Sequence, residues 1–359
     1  LYSSAASDVY KRQQLGWEKN KQIDLGFDIG IFNALNVVVD FYKRTSDIVM
    51  PANIPNFNGI SGSVYMNAGQ IENKGIEIQV SATPFKGEFS WETTLSWSKN
   101  NNKILSLANN QNQLANAKAG TKWSNVIRNY VGRPMGDMYM LKVIGTFNTE
   151  EDLAKYATNG TQGIGDLIFE DYKKDGTIDV NDYQLVGNYQ PDFTFGWNNT
   201  FKYKDLDLAI TIDGQCGGNV IYAAARAFSL NRYDDNVLAE SGLGRWISPT
   251  NTGNGTSHKA GTNNLGSNIG PSTRYLYDAD FLRIRNISLG YTLPKKFCKT
   301  IGIEGLRISA NVQNLWTFDK YPGYSVEANY EGNSATNNGV DFGGYPISRT
   351  FTFGLNFNF

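Results

Sequence analysis

The sequence predicts an all-β, membrane-spanning antiparallel barrel wall of about 11 strands with long extracellular loops and short periplasmic turns. Three observations carry this. Apolar and polar residues alternate along many segments. The connections alternate between short and long. The last nine residues, Phe351-Thr-Phe353-Gly-Leu355-Asn-Phe357-Asn-Phe359, form an aromatic strand that stops on phenylalanine. Successive strand side chains point to opposite faces, so period-2 alternation gives one apolar and one polar face.

The strands follow in order. Ile23, Leu25, Phe27, Ile29 and Ile31 alternate with Gln22, Asp24, Gly26, Asp28 and Gly30. A turn at Ala34–Asn36 leads to Val37, Val39 and Phe41. Ile76, Ile78, Val80 and Ala82 precede a turn from Pro84 to Gly87, then Phe89, Trp91, Leu95 and Trp97. Phe193, Phe195, Trp197, Phe201 and Tyr203 turn at Lys204-Asp205 into Leu206, Leu208, Ile210 and Ile212. Ile287, Leu289, Tyr291 and Leu293 run to Pro294, and Leu306, Ile308, Ala310 and Val312 follow Gly305. These are strand signals.

The segments 45–73, 100–123, 148–190, 214–273 and 317–346 read as long loops. Such lengths are unusual inside a compact soluble domain, whereas outer-membrane barrels pair short periplasmic turns with long extracellular loops. All long segments fall on one side if 124–147 holds two strands joined at Val131-Gly-Arg-Pro134. A secreted soluble β-sandwich that binds glycans is the alternative; it has no reason to keep its long loops at one end. An 11-stranded piece has two open edges, which lipid does not tolerate, so the expectation is part of a larger barrel. Residues 1–13 show neither strand nor helix periodicity and read as an adaptor-like segment. Residues 14–359 read as the barrel portion.

Composition agrees. The chain has 20 Tyr, 20 Phe, 7 Trp and 37 Gly, a net charge of −1 and a mean hydropathy of −0.40. That charge gives no footprint for nucleic acid. No apolar run reaches the roughly 18–20 residues of a membrane helix, and a barrel strand does not need one. The single histidine, His258, lies among Asn, Gly and Thr and reads as a solvated loop residue. No nucleophile motif accompanies it, so no catalytic residues are expected and an outer-membrane hydrolase is disfavoured. Cys216 and Cys298 fall at opposite ends of the wall and should not pair across about 25 Å of apolar band.

Three groups are candidate sites. Asp171, Asp175, Asp179 and Asp182 stand at positions 1, 5, 9 and 12 of an EF-hand-like loop, with Gly176 at 6 and the Thr177 carbonyl at 7, so calcium is the one candidate cofactor. Lys173 replaces an oxygen ligand at position 3; the competing reading is an acidic turn capping backbone amides. Trp246, Tyr275, Tyr277, Tyr321 and Tyr324 could stack on cargo or meet a lid; the competing reading is loop packing. Asn219–Phe228, after Gly217-Gly218, reads as a short helix. Trp91, Trp97 and Trp197 should face lipid.

Several stretches resemble the SusC/RagA family of TonB-dependent outer-membrane transporters. They are Asn67-Ala-Gly-Gln-Ile-Glu-Asn-Lys-Gly-Ile-Glu-Ile78, Val131-Gly-Arg-Pro-Met-Gly136, Gly187-Asn-Tyr-Gln-Pro-Asp-Phe-Thr-Phe-Gly196, Ala279-Asp-Phe-Leu-Arg-Ile-Arg-Asn-Ile-Ser-Leu-Gly-Tyr-Thr-Leu-Pro294, Gln313-Asn-Leu-Trp-Thr-Phe-Asp-Lys-Tyr-Pro-Gly323 and Gly344-Tyr-Pro-Ile-Ser-Arg-Thr350. They occur in family order. The resemblance implies a 22-stranded barrel of which this is the C-terminal part, with plug and TonB box lying upstream. It implies a SusD-like surface lipoprotein as lid, energy from the TonB–ExbB–ExbD complex, and oligosaccharide or peptide cargo. It also implies that the barrel assembly machinery reads the terminal strand carrying Phe351, Phe353, Leu355, Phe357 and Phe359. The chain departs from the family's Gly-Tyr-Asp-Pro-Glu at Gly323-Tyr-Ser-Val-Glu327, which loosens any role carried over to the 317–346 loop.

Overall fold

The computed structural model describes residues 16–359 except 33, 54–62, 108–111, 115–116, 120–122, 230–235, 262–267, 301, 331 and 333–337. The adaptor-like segment 1–13 lies outside the described residues.

One antiparallel sheet dominates. It runs β1 (Asn20–Ile31), β2 (Leu35–Asn53), β3 (Ser63–Phe85), β4 (Phe89–Leu107), β11 (Phe193–Tyr203), β12 (Leu206–Cys216), β15 (Phe281–Thr292), β16 (Gly305–Asp319) and β18 (Thr350–Asn358), each paired with the next. The short turns all lie at one end and the long excursions at the other, so the up-and-down order holds. Among the described residues the wall has nine strands rather than about 11. The stretch 124–147 leaves it: β6 (Trp123–Arg128) and β7 (Asp137–Met140) join β5 (Ala117–Ala119) and β10 (Gln184–Asn188) in a separate four-stranded sheet. Six and four residues are too short to cross a membrane, which takes roughly 9–11. The Val131–Pro134 turn sits at the loop end of β4, where Gly132 N donates to Ile104 O (2.8 Å) and Ile104 N to Arg133 O (2.9 Å).

The segment 45–73 is not mainly loop either. β2 and β3 extend to 19 and 23 residues, about twice a membrane crossing, so this hairpin continues well beyond the apolar band. Asn219–Phe228 is not a helix: β13 (Asn219–Tyr222) is a strand followed by one 3-10 turn at Ala223–Arg226. Gly217 and Gly218 both have positive φ (80° and 83°), which folds the chain back sharply. The β-branched Val220 and Ile221 then pair with β14 (Leu276–Asp278) and β17 (Val340–Asp341).

The register aligns the apolar faces. Ile29, Val37, Val80, Leu95, Trp197, Ile212, Ile284 and Trp316 form one cross-strand row spanning eight strands. Nearer the turn end, Phe89, Tyr203, Leu206, Tyr291, Ile308 and Leu355 form another, rich in aromatics. No second sheet covers these rows among the described residues; Trp316 is 54% and Leu355 63% exposed. A soluble sandwich would pack that face on a second sheet; a membrane wall gives it to lipid. Thr93 and Asn199 are the polar pair within the band, and both are satisfied. Trp197 Nε1 donates to Thr93 Oγ1 (2.9 Å) and Trp91 Nε1 to Asn199 Oδ1 (3.1 Å). The opposite face carries Asp40, Glu77, Ser96, Asn198, Asp207, Ser288 and Asn311, a polar wall.

The buried core lies in the loops. Trp123, Val126, Ile127, Met138, Met140, Ile221, Ala223, Ala225, Tyr275 and Val340 pack as one cluster drawn from three long excursions. Leu141, Leu167, Phe169 and Ile178 make a second cluster around β8 (Val143–Thr146) and β9 (Leu167–Phe169). The long loops are therefore a folded cap on the wall. Cys216 ends β12, while Cys298 is buried in α3 (Lys295–Thr300) in a turn at the opposite end; both are free thiols. Two further short helices among the described residues are α1 (Glu150–Lys155) and α2 (Ala239–Leu243).

Candidate functional site

The candidate site is the mouth, where the polar wall meets the folded loops. Residues 281–285 read Phe-Leu-Arg-Ile-Arg, so alternation puts Leu282 and Ile284 toward lipid and Phe281 and Arg283 inward. Arg283 is buried. Its Nε and Nη2 clamp Asp213 of β12 (3.2 and 2.7 Å), and its Nη1 donates to Glu327 Oε2 in the 320–349 loop (2.6 Å). A bulge beside Arg285 lets that residue also fork onto Asp213 (3.0 and 2.7 Å). Two arginines thus balance two carboxylates, and one of those carboxylates belongs to a loop. Sequence reading missed this group; the signal was two arginines two apart in a strand whose partner carries an inward aspartate.

A second polar surface lies on β3 and β4. Asn100 and Asn102 donate to Asn73 Oδ1 (3.1 and 2.9 Å), Tyr42 OH donates to Asn100 Oδ1 (3.1 Å), and Met135 N donates to Asn102 Oδ1 (3.0 Å). These asparagines, with Ser98, Tyr189, Gln190, Pro191 and Thr194, line a cavity of about 320 Å³ between wall and cap. A larger cleft of about 470 Å³ includes the membrane-facing side chains Phe195, Leu282 and Phe318.

The five nominated aromatics separate. Tyr324 is 73% exposed and lines a small cleft with Arg283, Glu327 and Arg349. Trp246 is half-buried, its indole donating to Asn148 Oδ1 (2.8 Å). Tyr277 is half-buried in a T-shaped trio with Tyr222 and Tyr321 at centroid distances of 5.3–6.3 Å. Tyr275 and Tyr321 are corrections: both are interior. Tyr275 packs on Trp123 (5.0 Å) and its hydroxyl meets Ser229 Oγ (2.8 Å). Tyr321 donates to Asp341 Oδ2 (2.6 Å). Burial and then the neighbouring carboxylate hold the Tyr321 phenol well above its usual range. Burial, with Glu240 nearby, pushes Tyr277 up to about 12. Their periodicity-free loops gave no clue to this packing.

His258 is also a correction. It is buried, and Arg274 Nη1 donates to its Nδ1 (2.7 Å) while Nη2 reaches Ser241 Oγ (3.1 Å). Burial pulls the Arg274 guanidinium below its usual range. The surrounding chain is tied down from a distance, Lys259 N donating to Gly165 O (2.8 Å).

In the Asp171–Asp182 loop the carboxylates cap amides. Asp171 accepts from the amides of Lys174 and Gly176 (2.5 and 2.8 Å), and Asp175 from Thr177 N (3.0 Å). Asp179 accepts from Asn181 N (2.6 Å), and Asp182 from Lys173 N and Asp179 N (3.1 and 2.9 Å). Among the described residues no three His, Cys, Asp or Glu side chains are gathered as a metal site. The terminal residues Phe351, Phe353, Leu355 and Phe357 project from the edge strand β18, with Phe359 just past its end, and β18 pairs with β16 alone among the described residues.

Comparison with known proteins agrees with this architecture. The family model described as "TonB dependent receptor-like, beta-barrel" matches residues 1–143. TonB-dependent receptor P3 of Formosa agariphila is 32% identical over 361 residues, covering 98% of this chain and 35% of that protein. TonB-dependent receptor SusC of Bacteroides thetaiotaomicron is 26% identical, covering 100% of this chain and 33% of that protein. The solved RagAB peptide transporter superposes with a TM-score of 0.74 at 21% identity, over 96% of this chain and 35% of that one. The chain thus spans about a third of the length of these relatives. It belongs to the TonB-dependent receptor β-barrel family, of the SusC/RagA type, and its wall lies in the outer membrane.

Proposed function

We propose that this chain is the cargo-facing barrel wall of an active importer of oligomeric nutrients, oligosaccharides or peptides, working beneath a SusD-like surface lipoprotein. The observation that carries the reading is the cap: long loops share one buried core over a wall that is polar inside and apolar outside. A folded platform of this kind gives a lid a shaped surface to close against. The relatives' names as receptors and a transporter support transport over catalysis. Energy comes from TonB–ExbB–ExbD acting on parts of the protein outside this chain. Cargo contact is assigned to the exposed Tyr324, the half-buried Trp246 and Tyr277, and the asparagine-lined cavity at Asn73, Asn100 and Asn102.

The test is genetic. Deleting the full gene should abolish growth on one oligomeric nutrient while growth on its monomer is unchanged. Unaltered growth on every oligomer tested would contradict the proposal.

A further inference from the structure

Above the apolar band, β1 to β4 change character together. The cross-strand row Leu25–Phe41–Ile76–Lys99 is followed outward by Ile23–Lys43–Lys74–Asn101 and then by Lys21–Thr45–Glu72–Lys103. Members of these rows are two residues apart along each strand, so all share the membrane-facing side. Five lysines and one carboxylate therefore occupy three successive rows, a local charge of +4 in a chain whose net charge is −1.

One carboxylate serves several lysines. Glu72 accepts Lys43 Nζ at 2.9 Å and also lies in the field of Lys74 and Lys103, while among the described residues Lys74, Lys99 and Lys103 make no ion pair of their own. Lys43 and Lys74 are direct cross-strand partners, and like charges in that relation oppose folding. The patch is also local. Where β11, β12 and β16 leave the band, the outward positions are Phe193, Cys216 and Phe318.

We infer that β1–β4 bind the phosphate groups of an anionic outer-leaflet lipid whose acyl chains lie on the apolar band below. Two surfaces adjoin here, a cationic rim and the band that already meets lipid, and one amphiphile matches both. Strands lie about 4.8 Å apart and same-face residues about 6.8 Å, so the lysines cover roughly 15 Å in each direction, room for more than one phosphate. Ammonium groups bind phosphate as point charges, and each near an anionic membrane surface is worth about five-fold in affinity.

The test uses the delipidated full transporter in detergent and three probes: a diphosphorylated glycolipid, its dephosphorylated form, and inorganic phosphate as competitor. The triple substitution Lys74→Gln, Lys99→Gln, Lys103→Gln should weaken the diphosphorylated lipid on the order of a hundred-fold. Wild type and variant should bind the dephosphorylated lipid alike. Arginine at the same three positions should restore binding, and heat-modifiable mobility reports that each variant is folded. Equal binding of the diphosphorylated lipid to wild type and glutamine variant would overturn the inference. Complete displacement by millimolar phosphate would also overturn it, assigning the patch to the free ion.

Discussion

Replacing Arg283 tests how the cap is fastened to the wall. The guanidinium spends three N–H groups on two partners, Asp213 on β12 and Glu327 in the 320–349 loop. The two partners differ in exposure, Glu327 being 43% exposed and Asp213 19%. Asp213→Asn leaves the buried Arg283 facing only the loop carboxylate, and breaking a buried pair from one side costs about 3–5 kcal/mol. Arg283→Met is milder, because Arg285 still forks onto Asp213 and Glu327 can hydrate; about 2 kcal/mol is expected, one charge-assisted hydrogen-bond set. Glu327→Gln should cost about 1 kcal/mol and act on the loop alone. Urea titration of the full transporter in detergent gives the order Asp213→Asn, Arg283→Met, Glu327→Gln. Limited proteolysis should show faster cleavage within 320–349 for both Arg283→Met and Glu327→Gln. Destabilisation by Glu327→Gln equal to that by Asp213→Asn, or cleavage unchanged by Arg283→Met, would rule out Arg283 as the fastening between cap and wall.

Three further outcomes follow from the same geometry. Gly136 has φ +86°, and a Cβ there would meet the Tyr189 ring at 1.8 Å, so Gly136→Ala should destabilise the cap by at least about 2 kcal/mol in a urea titration, whereas Gly132→Ala, with open space, should cost about 1. Tyr321 and Tyr277 have raised phenol pKa values, so below about pH 10 both states keep these two protons and the pair adds no pH dependence to stability. Above it the unfolded chain releases protons the folded one holds, and stability falls as pH rises, through about pH 12 for Tyr277. Near-ultraviolet circular dichroism should show cap loosening from about pH 10, shallower in Tyr321→Phe; loosening that starts below pH 9 would contradict this. We propose that calcium binds the Asp171–Asp182 loop only weakly, with Kd about 10⁻⁴–10⁻³ M, since amides already occupy its carboxylates and Lys173 replaces a ligand. Calorimetry showing micromolar binding would contradict the weak site, and no heat at millimolar calcium would end the calcium reading.

The wall was legible because its faces have different solvents. Lipid on one side and polar lumen on the other enforce period 2, so Ile23 to Ile31 and Phe351 to Phe359 announce themselves locally. The cap was not, because its order comes from distant partners. Trp123–Arg128 looks like a wall strand until its six residues are set against a membrane's thickness. His258 sits among residues typical of solvent, yet Arg274 and the chain around Gly165 bury it. The Arg283 group needed the register of β12 against β15, offset by a bulge, before Asp213 and both arginines met. Asn219–Phe228 was misread because alanines at 223–225 suggest helix, while the Gly217-Gly218 turn and pairing with β14 and β17 decide for strand.

One face of the wall meets lipid and the other the lumen, and two adjacent residues of β3 separate them. Val80 lies in the apolar row between Val37 and Leu95, and Gln79 points the other way. The decisive measurement is the folding free energy of the full transporter into phosphatidylcholine vesicles for Val80→Arg and Gln79→Arg. With Val80 in lipid, Val80→Arg should lose about 2–4 kcal/mol and Gln79→Arg should change within about 0.5 kcal/mol. Equal losses, or the larger loss at Gln79, would contradict the assignment of the faces.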